Sequence, residues 1–203
     1  ALNLEFQLIP KKVSLNNYKR RPKPPFTTDT LLQTSGSKYN WRPSNTMRLA
    51  QGLYEAGHIT YMRTDSTRTS ASSRQTAKDF ITSKWGSEFV GKGAVRGKSA
   101  SGVQDAHEAI RPTNPLSELP KGLDESQARL YRLIWSRFIA SQMCDSEWTS
   151  MKIEAKLETF DKVLDGDTKW RISPGWEAAF EAIDKAPPLA PPKPEIYEGK
   201  IVP

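Results

Sequence analysis

The hydrophobic pattern changes period near residue 145, and no other feature limits the fold so tightly. Before that point apolar residues recur at helical spacing, as in Met47, Ala50, Leu53 and Tyr54, or Leu130, Leu133, Ile134 and Phe138. That spacing lines one face of an α-helix. Beyond Asp145 they alternate, as in Met151-Lys152-Ile153-Glu154-Ala155-Lys156-Leu157, which suits a half-buried strand. The stretch 4–9 alternates in part and is expected to form a strand ending at Pro10. Helices flanked by strand-like ends predict an α+β fold. The expected organisation is a helical domain at 24–147 inserted into a discontinuous β-rich domain formed by 1–23 and 148–203.

End signals divide the helical part into four. A first helix is expected at 26–35, with threonines and Asp29 as caps, and a second at 45–56, capped by Ser44 and stopped by Gly57 in the left-handed C′ position. A third opens from the hydroxyl-rich run 67–73 and ends at Gly86. The longest, 125 to about 143, begins with a capping box of Asp124 and Gln127. Tyr54 falls on the apolar face of the second helix and is expected in the core. Lys19-Arg20-Arg21-Pro22-Lys23-Pro24-Pro25 cannot be helical and reads as an extended basic hinge. Later, Asp165-Gly166-Asp167 reads as the tip of a hairpin within 162–172. No third acid accompanies those aspartates, so the turn is preferred to a magnesium site there.

Composition enters through charge. The net +7 is unevenly placed: residues 1–112 hold 18 Lys/Arg against 8 Asp/Glu, while residues 113–203 hold 12 against 15. A basic half of this kind suits a bound polyanion. No apolar run approaches the roughly 20 residues of a membrane-spanning helix, and Ala1-Leu2-Asn3-Leu4 lacks the pattern of a signal peptide. A soluble, cytoplasmic protein with no membrane partner is expected. The single cysteine, Cys144, cannot form an internal disulfide and is expected to be inert.

Two tempting motifs fail on spacing. Gly97-Lys98-Ser99 ends like a phosphate-binding loop, but the earlier glycine that loop requires is replaced by Lys92. His107-Glu108 begins like a zinc-protease helix, but position 111 is Arg111 and the only other histidine is His58.

The chemistry concentrates in Gly57-His58-Ile59-Thr60-Tyr61-Met62-Arg63-Thr64-Asp65-Ser66. If extended, it places Tyr61, Arg63 and Asp65 on one face, because side chains alternate along such a chain. A half-buried edge strand with a solvated ion pair would produce the same triplet. A phenol is protonated at neutral pH, and a neighbouring guanidinium favours its anion; Arg63 is the candidate. The same cation can hold a phosphodiester oxygen and offset charge developing on phosphorus. The triplet therefore suits nucleophilic attack on a nucleic-acid backbone through a phosphotyrosine.

The run ITYMRTDS at 59–66, preceded by AQGLYEAG at 50–57 and followed by DAHEAIRPT at 105–113, resembles the active-site region of type IA DNA topoisomerases. PPFTTDTLLQ at 24–33 and LYRLIWSRFIASQM at 130–143 extend the resemblance in the same order. Met62 after the tyrosine is similar to the bacterial topoisomerase I group, where the topoisomerase III group tends to have proline. The resemblance implies a central arch fragment, with a winged-helix-like helical domain mounted on a β-rich arch. It implies a nucleophile, Tyr61, that forms a 5′-phosphotyrosine with single-stranded or underwound DNA and relaxes negative supercoils without ATP. Arg63 would hold the scissile phosphate, supported by Asp65 and by His107 tied to it. Thr60 and Arg111 are further DNA-binding candidates, with Gln51 and Glu55 beside them. Mg²⁺ is implied for the full-length enzyme, bound outside this chain by an acidic domain, so the isolated polypeptide is expected not to relax DNA. The remaining domains are implied partners and nucleoid association the implied location. A non-catalytic DNA-binding module is the competing expectation, since basic helical domains also read grooves.

Overall fold

A computed structural model describes residues 8–93, 107–157, 163–181, 183, 196–197 and 200–201. Gly97-Lys98-Ser99 lies outside them. The fold is α+β. Contacts divide the chain into two units, one formed by Arg21–Asp145 with Gly175–Lys185 and the other by Ala1–Arg20, Ser146–Pro174 and Ala186–Pro203.

The second unit is built on a three-stranded antiparallel sheet, β1 (Leu8–Arg20), β2 (Ser146–Leu157) and β3 (Val163–Ser173), in the order β1-β2-β3. The pairs β4 (Ile196–Tyr197) and β5 (Lys200–Ile201) form a separate antiparallel ribbon. The centre strand carries the buried residues Trp148, Met151 and Ala155, because both its edges are paired. The first strand does not end at Pro10 but runs on to Arg20, with a register irregularity between Pro10 and Lys12. On an edge strand a proline's missing N–H need not cost a ladder bond. Asp165-Gly166-Asp167 is no hairpin tip either: it lies within β3, opposite Glu154, Ile153 and Lys152. These residues are exposed on the other edge strand, where nothing requires an apolar side chain.

The helical unit contains α1 (Thr28–Tyr39), α2 (Pro43–Glu55), α3 (Ala71–Trp85) and α4 (Glu125–Ala140). Thr27 and Thr30 form the capping box of α1, and Asp124 and Gln127 that of α4. Pro43, not Ser44, opens α2, since proline's fixed φ suits the first helical position. Gly57 takes φ 73°, and the His58 N–H donates to the Leu53 carbonyl at 2.9 Å, closing the helix end tightly. The core gathers Phe26, Leu31, Leu53, Met62, Ile110 and Ile134. Within the stretch 148–203 expected to be β-rich, Gly175–Phe180 instead forms a 3-10 helix that packs on α4. Its Trp176 N–H donates to the Cys144 carbonyl at 3.0 Å, and Ala178 and Ala179 are buried. Small residues between two aromatic rings allow that close approach.

Candidate active site

Immediately after the Gly57 stop, the chain crosses the helical unit as an irregular segment that bends at His58, Thr60 and Met62. Along it Tyr61, Arg63 and Asp65 are exposed while Met62, Thr64 and Ser66 are buried, so the alternation expected from the sequence holds. Among the described residues no continuous ladder supports this stretch; Ile59 forms an isolated antiparallel bridge with Pro112. Threonine hydroxyls do the rest.

On one side Thr28, at the start of α1, donates its hydroxyl to the Met62 carbonyl at 2.7 Å and accepts the Thr64 N–H at 2.8 Å. Its own N–H donates to the Thr64 carbonyl at 2.8 Å. On the other side the Thr60 hydroxyl donates to the Ala109 carbonyl at 2.7 Å and accepts the Arg111 N–H at 3.0 Å. The Thr60 N–H donates to the Arg111 carbonyl at 2.9 Å, and the Thr113 hydroxyl donates to the Gly57 carbonyl at 2.7 Å. Each of these bonds pairs a main-chain group of the segment or of its neighbours, several of them partly buried. The even-numbered residues are thereby pulled inward, and the odd-numbered face is left open.

The segment 107–113 is itself anchored from below. Phe26 pairs with Ile110 through an isolated bridge, and the Arg137 guanidinium of α4 lies 4.3 Å from the Phe26 ring centre. Burial pushes Arg137 down to about 10, and the ring face returns part of the lost hydration. Tyr131 donates its hydroxyl to the Ser117 carbonyl at 2.7 Å and Trp135 its indole N–H to the Pro115 carbonyl at 2.8 Å, holding the following loop on α4. Burial, against an opposing hydrogen bond at Ser117, pushes the Tyr131 phenol up to about 12.

The open face carries the chemistry. Tyr61 is 38% exposed, and its ring lies 6.0 Å from the His107 ring and 5.3 Å from that of Tyr54. Among the described residues Arg63 and Asp65 make no hydrogen bond or ion pair, and the Tyr61 hydroxyl has no hydrogen-bond partner. The structure thus brings His107 to Tyr61 across the chain, and leaves Arg63 and Asp65 reaching outward. Thr60 and Arg111 are different. The Thr60 hydroxyl is engaged as described, and the Arg111 guanidinium binds Glu108, with Nε to Oε2 at 3.0 Å, and the Pro112 carbonyl at 3.0 Å. Gln51 donates to Glu55 at 2.6 Å along α2.

Helical spacing predicts Tyr54 in the core, yet it is 40% exposed against Tyr61. The buried stripe of α2 is Thr46, Leu49, Ala50 and Leu53, and Tyr54 falls just past its edge. The anchoring role of Thr28 is also absent from the sequence expectation, which makes the threonines caps. Thr27 does cap α1, but Thr28 bonds 34 residues along the chain.

A family model described as DNA topoisomerase matches residues 7–203. DNA topoisomerase 1 of Thermotoga maritima is 40% identical over 222 residues, covering 95% of this chain and 35% of that protein. The full-length topoisomerase I structure from the same organism, in a monoclinic crystal form, matches with a TM-score of 0.78 and 33% identity, covering 97% of this chain and 32% of that one. The chain belongs to the DNA topoisomerase family. Within it, the similarity is to the bacterial topoisomerase I group of type IA enzymes. It spans about a third of the length of the relatives it matches.

The family association with Mg²⁺ can be tested against the donors present. Among the described residues no three of His, Cys, Asp or Glu come together, whereas Mg²⁺ is held by carboxylates with water or phosphate oxygens. Asp65 stands alone on its face and Glu108 is committed to Arg111. The described residues do not fit a Mg²⁺ site. Among them, too, no helix is long and apolar enough to cross a membrane.

Proposed function

We propose that this chain supplies the nucleophile of a type IA DNA topoisomerase, with Tyr61 as the catalytic residue and Arg63 as its phosphate clamp. The observation that carries this is the open face of 61–66: an exposed phenol, guanidinium and carboxylate in alternation on a segment whose opposite face is pinned. The Tyr61 Oη attacks a backbone phosphorus, the P–O3′ bond breaks, and the leaving 3′ oxygen takes up a proton. The product is a 5′-phosphotyrosine and a free 3′-hydroxyl. Another strand passes through the break, and attack by the 3′-hydroxyl restores the backbone and releases Tyr61. No ATP is consumed, since the phosphoester energy is kept in the protein link.

Arg63 pairs with a non-bridging phosphate oxygen and offsets its growing charge. Asp65 and His107 support the site, His107 from beside the phenol. Thr60 and Arg111, whose groups are engaged within the chain, shape the segment that meets DNA, and Gln51 with Glu55 stiffens the end of α2. The helical unit is read as winged-helix-like and the sheet unit as part of an arch. Substrate is single-stranded or underwound DNA, and Mg²⁺ is assigned to other parts of the whole enzyme, which are this chain's partners.

The test is covalent capture. The whole enzyme carrying this chain is mixed with a single-stranded oligonucleotide labelled at its 3′ end and resolved under denaturing conditions. The parent gives a labelled protein band and Tyr61→Phe gives none. A labelled band from Tyr61→Phe removes Tyr61 from the nucleophile's role and leaves the DNA-binding module as the reading.

A further inference from the structure

Tyr54 occupies an unusual place for a large aromatic residue. It sits in the last turn of α2, outside that helix's buried stripe, and solvent reaches 40% of it. Its ring meets the Tyr61 ring at 5.3 Å with an interplanar angle of 66°, an edge-to-face contact, while His107 lies 6.0 Å from Tyr61 at 40°. The Tyr61 ring therefore has aromatic neighbours contributed by two separate segments.

Such contacts matter because of how Tyr61 is mounted. Its main chain is fixed by Thr60 and by the Thr28 bonds to residues 62 and 64, but those bonds do nothing to the torsions of an exposed phenol. In-line attack on phosphorus accepts only a narrow range of oxygen positions. A ring edge held on a helix restricts the phenol where the main-chain bonds cannot. The support is stiff: the Gly57 turn and the His58 to Leu53 hydrogen bond fix the end of α2 against the start of the segment that carries Tyr61.

We propose that Tyr54 is a positioning residue, whose ring holds the Tyr61 phenol edge-on in the orientation from which its oxygen attacks; this rests on Tyr61 being the nucleophile. The ring does the holding, so the Tyr54 hydroxyl is dispensable.

The whole enzyme carrying Tyr54→Leu and Tyr54→Phe tests this by single-turnover cleavage of the labelled oligonucleotide over a range of concentrations, with thermal melting alongside. Tyr54→Leu lowers the cleavage rate at saturation about tenfold, with the half-saturating concentration and the melting temperature unchanged. Tyr54→Phe cleaves at the parental rate. Parental cleavage by Tyr54→Leu overturns the proposal, and so does equal loss in Tyr54→Phe, or a loss that comes with weaker DNA binding or a lowered melting temperature. Tyr61→Phe is run in parallel to separate the two levels of inference. An adduct from Tyr61→Phe sinks the nucleophile assignment itself, whereas its absence together with normal cleavage by Tyr54→Leu sinks only the role of Tyr54.

Discussion

Two stretches of this molecule alternate between inside and outside, and they are held in opposite ways. In β2, Met151 and Ala155 are buried while Lys152 and Glu154 are exposed, and a full antiparallel ladder runs along each side. In 61–66, Met62, Thr64 and Ser66 are buried while Tyr61, Arg63 and Asp65 are exposed, with hydroxyl-to-backbone bonds in place of ladders. The outward residues differ accordingly. Lys152 stands opposite Ser14 and Asp167, and Glu154 opposite Lys12 and Asp165, so sheet neighbours already face them. Among the described residues Arg63 and Asp65 have no such cross-strand neighbours. Alternation alone therefore separates two faces; whether the outer face is free for a ligand depends on what holds the inner one.

Removing the inward anchor gives the largest effect on stability. Met62 is 1% exposed within the helical core, so Met62→Ala costs about 2–5 kcal/mol through lost transfer energy and the cavity left behind. Leu15, also apolar but 65% exposed on β1, changes stability by no more than about 0.5 kcal/mol as Leu15→Ala. Denaturant unfolding of both variants measures the contrast. Equal losses would mean that burial does not separate the two regions.

Thr28→Val sharpens the comparison at the hydroxyls. It keeps the shape of the side chain but removes the acceptor for the Thr64 N–H and the donor to the Met62 carbonyl. A buried amide left unpaired costs about 1–3 kcal/mol. Hydrogen exchange at Thr64 is expected to accelerate by more than global unfolding explains, because only local opening is made easier. Unchanged protection at Thr64 would show that the other bonds hold the segment alone.

How much of this was legible in the sequence follows the range of the interactions. Local chemistry could be read: the Asp124 and Gln127 box, the Gly57 stop and the alternation from Tyr61 to Ser66 all depend on residues a few positions apart. Local readings failed where a local signal had two meanings. Asp165-Gly166-Asp167 has the composition of a turn, yet it lies along an edge strand that tolerates polar and glycine residues. Tyr54 has helical spacing with the core, yet the buried stripe stops at Leu53. The bonds from Thr28 and Thr60 could not be read at all, because they join segments 34 and 49 residues apart. A threonine beside a helix start looks the same whether it caps the helix or ties down a distant strand.

The smallest effect concerns the loop pinned behind the site, and pH isolates it. Burial raises the Tyr131 phenol from 10.0 to about 12 in the folded state, so between those values the folded protein keeps a proton that the unfolded chain has lost. The unfolded state then binds fewer protons, and the contribution of Tyr131 to stability falls as pH rises. Below pH 10 that contribution is complete; above about 12 it is gone. Tyr131→Phe keeps the packed ring but loses the hydrogen bond to the Ser117 carbonyl, worth about 1 kcal/mol at neutral pH. The stability difference between parent and variant should stay constant to pH 10 and then shrink, since the other titrating groups are common to both. A difference that stays flat through pH 12 would show that Tyr131 loses its proton as easily folded as unfolded. The loop 113–117 would then be held by the Trp135 indole bond to Pro115, and the floor of the site would owe little to that phenol.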